Sequence, residues 1–239
     1  MAEEEARKSR KELRRQSRAK GTLPEGYGQY KHLFLEGAID PSEVFELREL
    51  LGEGTFSQVF RGRRIDTREE VAVKMITART NLGKVEQEIH AMKDCKCPYV
   101  VSWASCFFQA TGRDSSIWVV LEYCAGGSIQ DVTNFLGRGL QEVELTAVLA
   151  CCVAAMQHLA SRNWVHLDLK AGNVLLAASG VAKLADFGCA RVHVAHDLES
   201  AQAKHISIPE DTVIGTPHFL SPEVIQSRTN ASPARYLSQ

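Results

Sequence analysis

The sequence predicts an α+β fold in two lobes, the first an antiparallel sheet with one helix and the second mainly helical. Three observations carry this. Between residues 45 and 123, short runs of β-branched, aromatic and alternating apolar residues recur, and a single stretch among them switches to helical spacing. Between 142 and 161, apolar residues recur three and four apart without interruption. Beyond 162, acidic and amide residues sit between brief apolar runs, the pattern of loops around small hairpins. At 239 residues the chain is long enough for one large domain or two tightly joined lobes.

Taken in order, Met1 to about Lys20 is a mixed-charge segment with too few apolar residues to fold alone, so it reads as a solvated arm. Its basic cluster between Lys8 and Lys20 would suit nuclear import or an acidic partner, but a solubilising tail is the plainer reading. Residues 21–41 read as a linker with a small apolar patch at Leu33, Phe34 and Leu35, so arm and linker fill 1–43. The first lobe and its exit occupy 44–124. Its strands are expected at 45–50, 58–62, 71–76, 100–108 and 117–123. Gly52 and Gly54 fall in the first turn, and a helix over 81–93 places Val85, Ile89 and Met92 on one stripe. The second lobe is expected over 125–225. Its helix at 142–161 has a strongly apolar face (Leu145, Val148, Leu149, Cys152, Val153, Met156 and Leu159) that is expected to be buried. Residues 174–176 and 181–184 flank a glycine turn as a hairpin. Residues 186–223 read as loop and 226–239 as an unpatterned tail. No internal repeat is visible.

Composition excludes more than it assigns. A hydrophobic share of 44% and a charged share of 24% are ordinary for a globular protein. A formal net charge of -1 gives no reason to expect a nucleic-acid partner. No apolar run is read as approaching the roughly 20 residues of a spanning helix, so no membrane partner is expected, and the charged start lacks the apolar core of a signal peptide. Seven cysteines, an odd number without a framework spacing, fit reduced thiols in the cytoplasm or the nucleus.

The chemistry concentrates in two runs. His166-Leu167-Asp168-Leu169-Lys170-Ala171-Gly172-Asn173 is followed by Asp186-Phe187-Gly188. Asp168 can accept a proton from an attacking hydroxyl, Asn173 and Asp186 offer hard oxygen ligands for magnesium, and Lys170 can neutralise a phosphate in transfer. Gly52-Glu53-Gly54-Thr55-Phe56-Ser57-Gln58-Val59 lets backbone N–H groups approach phosphate oxygens, although Ser57 stands where a third glycine would fit the pattern. Alone this is a weak signal, for which a plain hairpin with a glycine turn is the better reading. Lys74, inside the apolar run 71–76, needs a partner because burying an unpaired ammonium is costly. Glu88 on the following helix is preferred over Glu86, since Ile89 and Met92 then face the sheet; a surface lysine on an edge strand is the alternative.

Together these motifs resemble, in content and order, the eukaryotic protein kinases, from Glu46 to about Val224, closing with Ser221-Pro222-Glu223. Three further stretches, Cys97–Val101, Leu121–Ser128 and Thr212–Pro217, resemble the sterile-twenty-like group of the Hippo type, with the MAP-kinase-kinase-kinases the nearest alternative. The resemblance implies the bilobal kinase fold, ATP and Mg2+ as cofactors, and serine or threonine hydroxyls of protein substrates as acceptors in a signalling cascade. It implies catalytic roles for Asp168, Lys170, Lys74 and Glu88, and metal ligation by Asn173 and Asp186. It implies a nucleotide slot formed by Leu51, Gly52, Gly54, Ser57, Val59, Ala72, Lys74, Leu121, Glu122, Cys124 and Leu175, with Leu121 at its back and Glu122 and Cys124 offering backbone contacts to the purine. Phe56 would shield the phosphates. Thr212 matches the activating phosphorylation position, reached by another kinase or by self-phosphorylation.

Two departures stand out. Leu167 replaces the arginine that usually pairs with a phosphorylated activation segment, so Thr212 phosphorylation is expected to help less here. The stretch 192–210 carries His193, His196 and His205, and reads as a solvated insertion rather than a metal site. Ser207 is a weak phosphosite candidate, and Cys189 reads as a small apolar filler. After Ile225 the sequence is polar, without the Asp-x-Trp-x-x-Gly helix start that the resemblance leads one to expect. The helical lobe is therefore expected to be incomplete, its second half poorly folded and weakly active, and a non-catalytic binding module is the alternative. Each large side chain left uncovered forfeits roughly 1.5–3 kcal/mol, against a domain stability of about 5–15 kcal/mol.

Overall fold

The computed structural model describes residues 28–34, 40–54, 57–77, 82–109, 115–192 and 215–222. Five antiparallel strands form the first lobe: β1 (Phe45–Glu53), β2 (Ser57–Arg64), β3 (Glu70–Thr77), β4 (Trp103–Gln109) and β5 (Ser116–Glu122), in the order β1-β2-β3-β5-β4. The central pair β3–β5 runs in register from Val71 opposite Glu122 to Thr77 opposite Ser116. Its Val119 is buried in the cluster with the helix that follows β3, and Val73 and Val120 are buried in a separate cluster on the other face, as β-branched residues on a pleated surface are. Helix α1 (Leu82–Asp94) covers one face, burying Val85, Ile89 and Met92 as the stripe predicts, together with Glu88. Phe45 and Phe107 meet edge to face at 5.6 Å in a second apolar cluster with Trp118 and Val120.

The expected strand at 100–108 starts later. Val100 makes only an isolated parallel bridge to Leu184, and regular pairing begins at Trp103. That bridge, with Val101 N–H donating to the Leu184 carbonyl and Leu184 N–H to that of Tyr99, ties the first lobe to the second. The stretch read as linker also departs from expectation. Gly28–Leu33 forms a short 3-10 helix, and Leu33 is buried in the main core beside Val85 and Ile89.

In the second lobe, α2 (Ile129–Leu136) lies where the sequence analysis placed no element. Its start is fixed by a capping box in which Ser128 and Asp131 exchange hydrogen bonds, and Gly137 ends it in the left-handed region at φ 62°. Helix α3 (Glu142–Ser161) has the expected bounds. Its apolar face is not buried: Cys152, Ala155 and Leu159 are covered, while Val143, Leu145, Leu149, Val153 and Met156 are exposed among the described residues. Among the described residues, one edge of its apolar arc packs, against β6 (Trp164–Val165) and β8 (Ala182–Leu184). With 20 residues and a best-window mean hydropathy of 1.6, α3 is long and apolar enough to cross a membrane by length and composition alone, which corrects the expectation that no such run exists. Strand β7 (Val174–Leu176) pairs with β8 as the expected hairpin. The expected loop after Asp186 contains β9 (Arg191–Val192), which pairs with β6. Residues 193–214 and 223–239, with Thr212, Ser207, Glu223 and the three histidines of the insertion, lie outside the described residues, as does Phe56.

Candidate active site

Strand β3 carries Lys74 into the cleft beneath the sheet, and α1 brings Glu88 to it. Lys74 Nζ lies 2.6 Å from Glu88 Oε1 and 3.2 Å from Asp186 Oδ1. Glu86 does not compete; it pairs instead with His32. Burial works against the ammonium of Lys74, but the carboxylates of Glu88 and Asp186 outweigh it, and the pKa rises above the ordinary lysine value. Burial likewise opposes the charge on Asp186, and Lys74 overcomes it, so that carboxyl is held below its ordinary range. Lys74 and Asp186 are therefore both ionised at neutral pH.

The loop from His166 to Asn173 is held from several sides. The Asp168 N–H donates to His166 Nδ1 at 3.3 Å, so the other ring nitrogen, Nε2, carries the proton and donates to the Ala185 carbonyl at 3.0 Å. The ring meets Phe187 edge to face at 5.0 Å. Burial lowers the His166 pKa, which keeps this tautomer neutral. His166 is thus a strut between the Asp168 loop and the segment carrying Asp186.

Asp168 is buried and receives donors on both oxygens. Lys170 Nζ lies 2.9 Å from Oδ2, and Asn173 Nδ2 donates to the same atom at 2.9 Å. Thr216 donates to Oδ1 twice, from its N–H at 2.8 Å and its hydroxyl at 2.7 Å. Lys170 also donates to the Thr216 hydroxyl at 2.6 Å. Burial raises the Asp168 pKa, and these bonds from Lys170 and Thr216 more than reverse it, so the carboxyl lies below its ordinary value. Gly215 permits this closure. Its φ is 95°, and a Cβ there would stand 2.6 Å from the Leu167 carbonyl oxygen. Leu167 and Asp186 both adopt left-handed backbone, at φ 66° and 60°, conformations rare for residues with a side chain and concentrated at functional sites.

The slot residues fall into two groups. Ala72 stands opposite Leu121 on the paired strands, and Val59 opposite Lys74. Leu121, Cys124 and Leu175 share one apolar cluster with Val101, Ala177 and Ala185. The Cys124 N–H donates to no group among the described residues. The side chain of Glu122 pairs with Lys183 at 2.7 Å. At the glycine turn, Gly54 N–H donates to the Ser57 carbonyl at 2.7 Å, and a Cβ at Gly52 would meet nothing within 4 Å. Leu51 is exposed on β1 beside this turn. Burial pushes the Cys124 thiol up to about 11 and raises that of Cys189, so neither is an activated nucleophile.

The donor set fits a hard divalent ion. Asn173 spends its Nδ2 on the carbonyl and carboxylate of Asp168, at 2.8 and 2.9 Å, which leaves Oδ1 without a partner among the described residues. The Asp186 side chain keeps about half its surface open, although its carboxyl is partly desolvated, and it is engaged by Lys74 at Oδ1 and by the Gly188 N–H. Oxygen ligands of this kind suit magnesium. Sequence reasoning quoted His166 and Thr216 within motifs without giving them a role, and missed Lys183. Thr216 lies 48 residues from Asp168 within the run 212–217 that carries the resemblance, and only the fold reveals that it bonds to Asp168. A family model for the protein kinase domain matches residues 45–236.

Proposed function

The chain belongs to the protein kinase family, and on that premise we propose that it is a serine/threonine kinase of the sterile-twenty-like kind, passing the γ-phosphate of ATP to protein hydroxyls in a signalling cascade. The observation that carries this is the hold of Lys170, Asn173 and Thr216 on Asp168. It supports Asp168 as the group that orients the acceptor hydroxyl and takes its proton. A carboxylate with a lowered pKa is a weak base. That suits a loose transition state in which the hydroxyl needs little activation and gives up its proton late, as the new oxygen–phosphorus bond forms and the bond to the β-phosphate oxygen breaks. Lys170, beside Asp168, adds positive charge where the transferring group bears negative charge. Lys74, fixed by Glu88, would meet the α- and β-phosphates.

Asn173 Oδ1 and Asp186 would hold Mg2+, which when bound neutralises phosphate charge. Ala72, Val59, Leu121 and Leu175 supply the apolar walls for adenine, with the N–H of Cys124, which donates to no group among the described residues, as a directed contact. Leu51 and the glycine turn at Gly52, Gly54 and Ser57 would close over the phosphates. Thr212 is the proposed activating site, with Leu167 leaving one counter-charge missing, and the cytoplasm is the proposed compartment. A second reading, a non-catalytic binding module, is favoured by the exposed apolar face of α3.

Radiolabel transfer from ATP to a basic protein substrate tests the first reading. Wild-type chain should label serine and threonine, and Asp168→Asn and Asp186→Asn should lose at least about a thousandfold while remaining folded. Turnover unchanged in either variant, or label on tyrosine alone, overturns it. Binding of ATP without transfer favours the second reading.

A further inference from the structure

Away from the cleft, three side chains converge on the outer side of α1. His32, Glu86 and His90 bring one ligand atom each to within 4.8 Å of one another. Glu86 and His90 are four residues apart on α1, so they share a face. His32 arrives from the 3-10 helix Gly28–Leu33, whose position is fixed by burial of Leu33 against the α1 core.

The hydrogen bonds around His32 point to a cation. Nδ1 lies 3.1 Å from the Gln29 carbonyl oxygen, which can only accept, so Nδ1 carries a proton. Nε2 lies 2.9 Å from Glu86 Oε1. With its single proton on Nδ1, the imidazole would aim a lone pair at a carboxylate. A positive centre must stand between or beside them, either a second proton or a metal ion. A second proton would satisfy His32 and Glu86 alone, whereas a metal ion would also engage His90, whose ligand atom lies within 4.8 Å of the other two. The His90 ring lies 6.0 Å from that of His32, close enough to contribute a third donor. Two imidazoles and one carboxylate form a donor set for a borderline divalent ion, with water as the fourth ligand. The bond from Nδ1–H to a backbone carbonyl is the outer contact that metal-bound histidines make.

We propose that His32, Glu86 and His90 form a zinc-type metal site that fastens residues 28–33 to α1. The site is chemically distinct from the oxygen donors Asn173 and Asp186, because imidazole discriminates against magnesium. Its effect falls on the helix that carries Glu88, two residues from Glu86. The site stands independently of any phosphotransfer by the chain.

The test is titration of the chelator-stripped full chain with Zn2+ by calorimetry, and with Co2+ by absorption. One ion per chain is expected, with affinity falling about tenfold or more in His32→Ala, His90→Ala and the shape-conserving Glu86→Gln. The cobalt complex should show visible ligand-field bands without a thiolate charge-transfer band in the near ultraviolet. Near-ultraviolet circular dichroism of the metal-free variants should match wild type, since all three positions lie on the surface or at its edge. Absence of binding, affinity unchanged in the His32→Ala/His90→Ala double variant, or a thiolate band would each overturn the proposal.

Discussion

Helices α1 and α3 carry the same kind of apolar periodicity and meet different surroundings. Six of the thirteen residues of α1 are buried, because the sheet and the 3-10 helix at Gly28–Leu33 close over it from two sides. Three of the twenty residues of α3 are buried, all on the edge facing β6 and β8. A hydrophobic stripe specifies which face of a helix seeks cover. It does not specify what supplies the cover, and the energy follows the cover.

The sharpest way to break this comparison is to delete matched side chains. Ile89 is fully buried in α1. Ile89→Ala should destabilise the fold by about 2–5 kcal/mol through lost transfer energy and a residual cavity, read from chemical denaturation. A change below about 1 kcal/mol would mean that α1 is as loosely covered as α3. Next comes Gly215→Ala. The left-handed backbone and the Leu167 carbonyl 2.6 Å from the new Cβ force the segment to move, at a cost of about 1–3 kcal/mol. Because Thr216 then leaves Asp168, phosphotransfer should fall further than stability does, which parallel rate and melting measurements would show.

On α3, Leu149→Ser and Val153→Ser should change stability by no more than about 0.5 kcal/mol, since both side chains already face outward. They should also reduce self-association in sedimentation. A loss on the scale of Ile89→Ala would show that this face is covered in solution. The smallest effect concerns the entry to α3. Glu144 accepts from Arg138 and from the Gln141 N–H, which together hold its pKa near 2 against an ordinary 4.5. A depressed carboxyl contributes stability that is present above pH 4.5 and lost as the pH falls toward 2. Arg138→Ala should move the Glu144 titration up toward 4.5 in an NMR pH series, with little change in melting temperature, because the pair is exposed.

What was legible in the sequence was local. The alternation of the first-lobe strands, the stripe of Val85, Ile89 and Met92, and the hairpin at 174–184 all survive in the structure because each depends on neighbours along the chain. The run 166–173 could be singled out because its residue types and spacing are constrained by chemistry, and the fold brings Asp168, Lys170 and Asn173 together. What was hidden depends on distant partners. Thr216 reaches Asp168 across 48 residues, Leu33 enters the core from a small apolar patch in a stretch that otherwise reads as linker, and β9 exists only because β6 lies beside it. Helix α2 was the local signal overlooked, since Ser128 and Asp131 spell a capping box just before an apolar run.

The contacts at the rear of the cleft carry one further implication. Glu122 is gripped by Lys183 and by the Ser102 N–H. Gly126 packs so closely on Leu176 that a Cβ would sit 2.8 Å from it, and the Val100–Leu184 bridge runs alongside. With its spine stitched this way, the molecule has little freedom to gape like a clam. At the glycine turn in front, by contrast, a Cβ at Gly52 would meet nothing within 4 Å, so changes in entry and exit rates should trace to substitutions there and hardly at all to the seam behind.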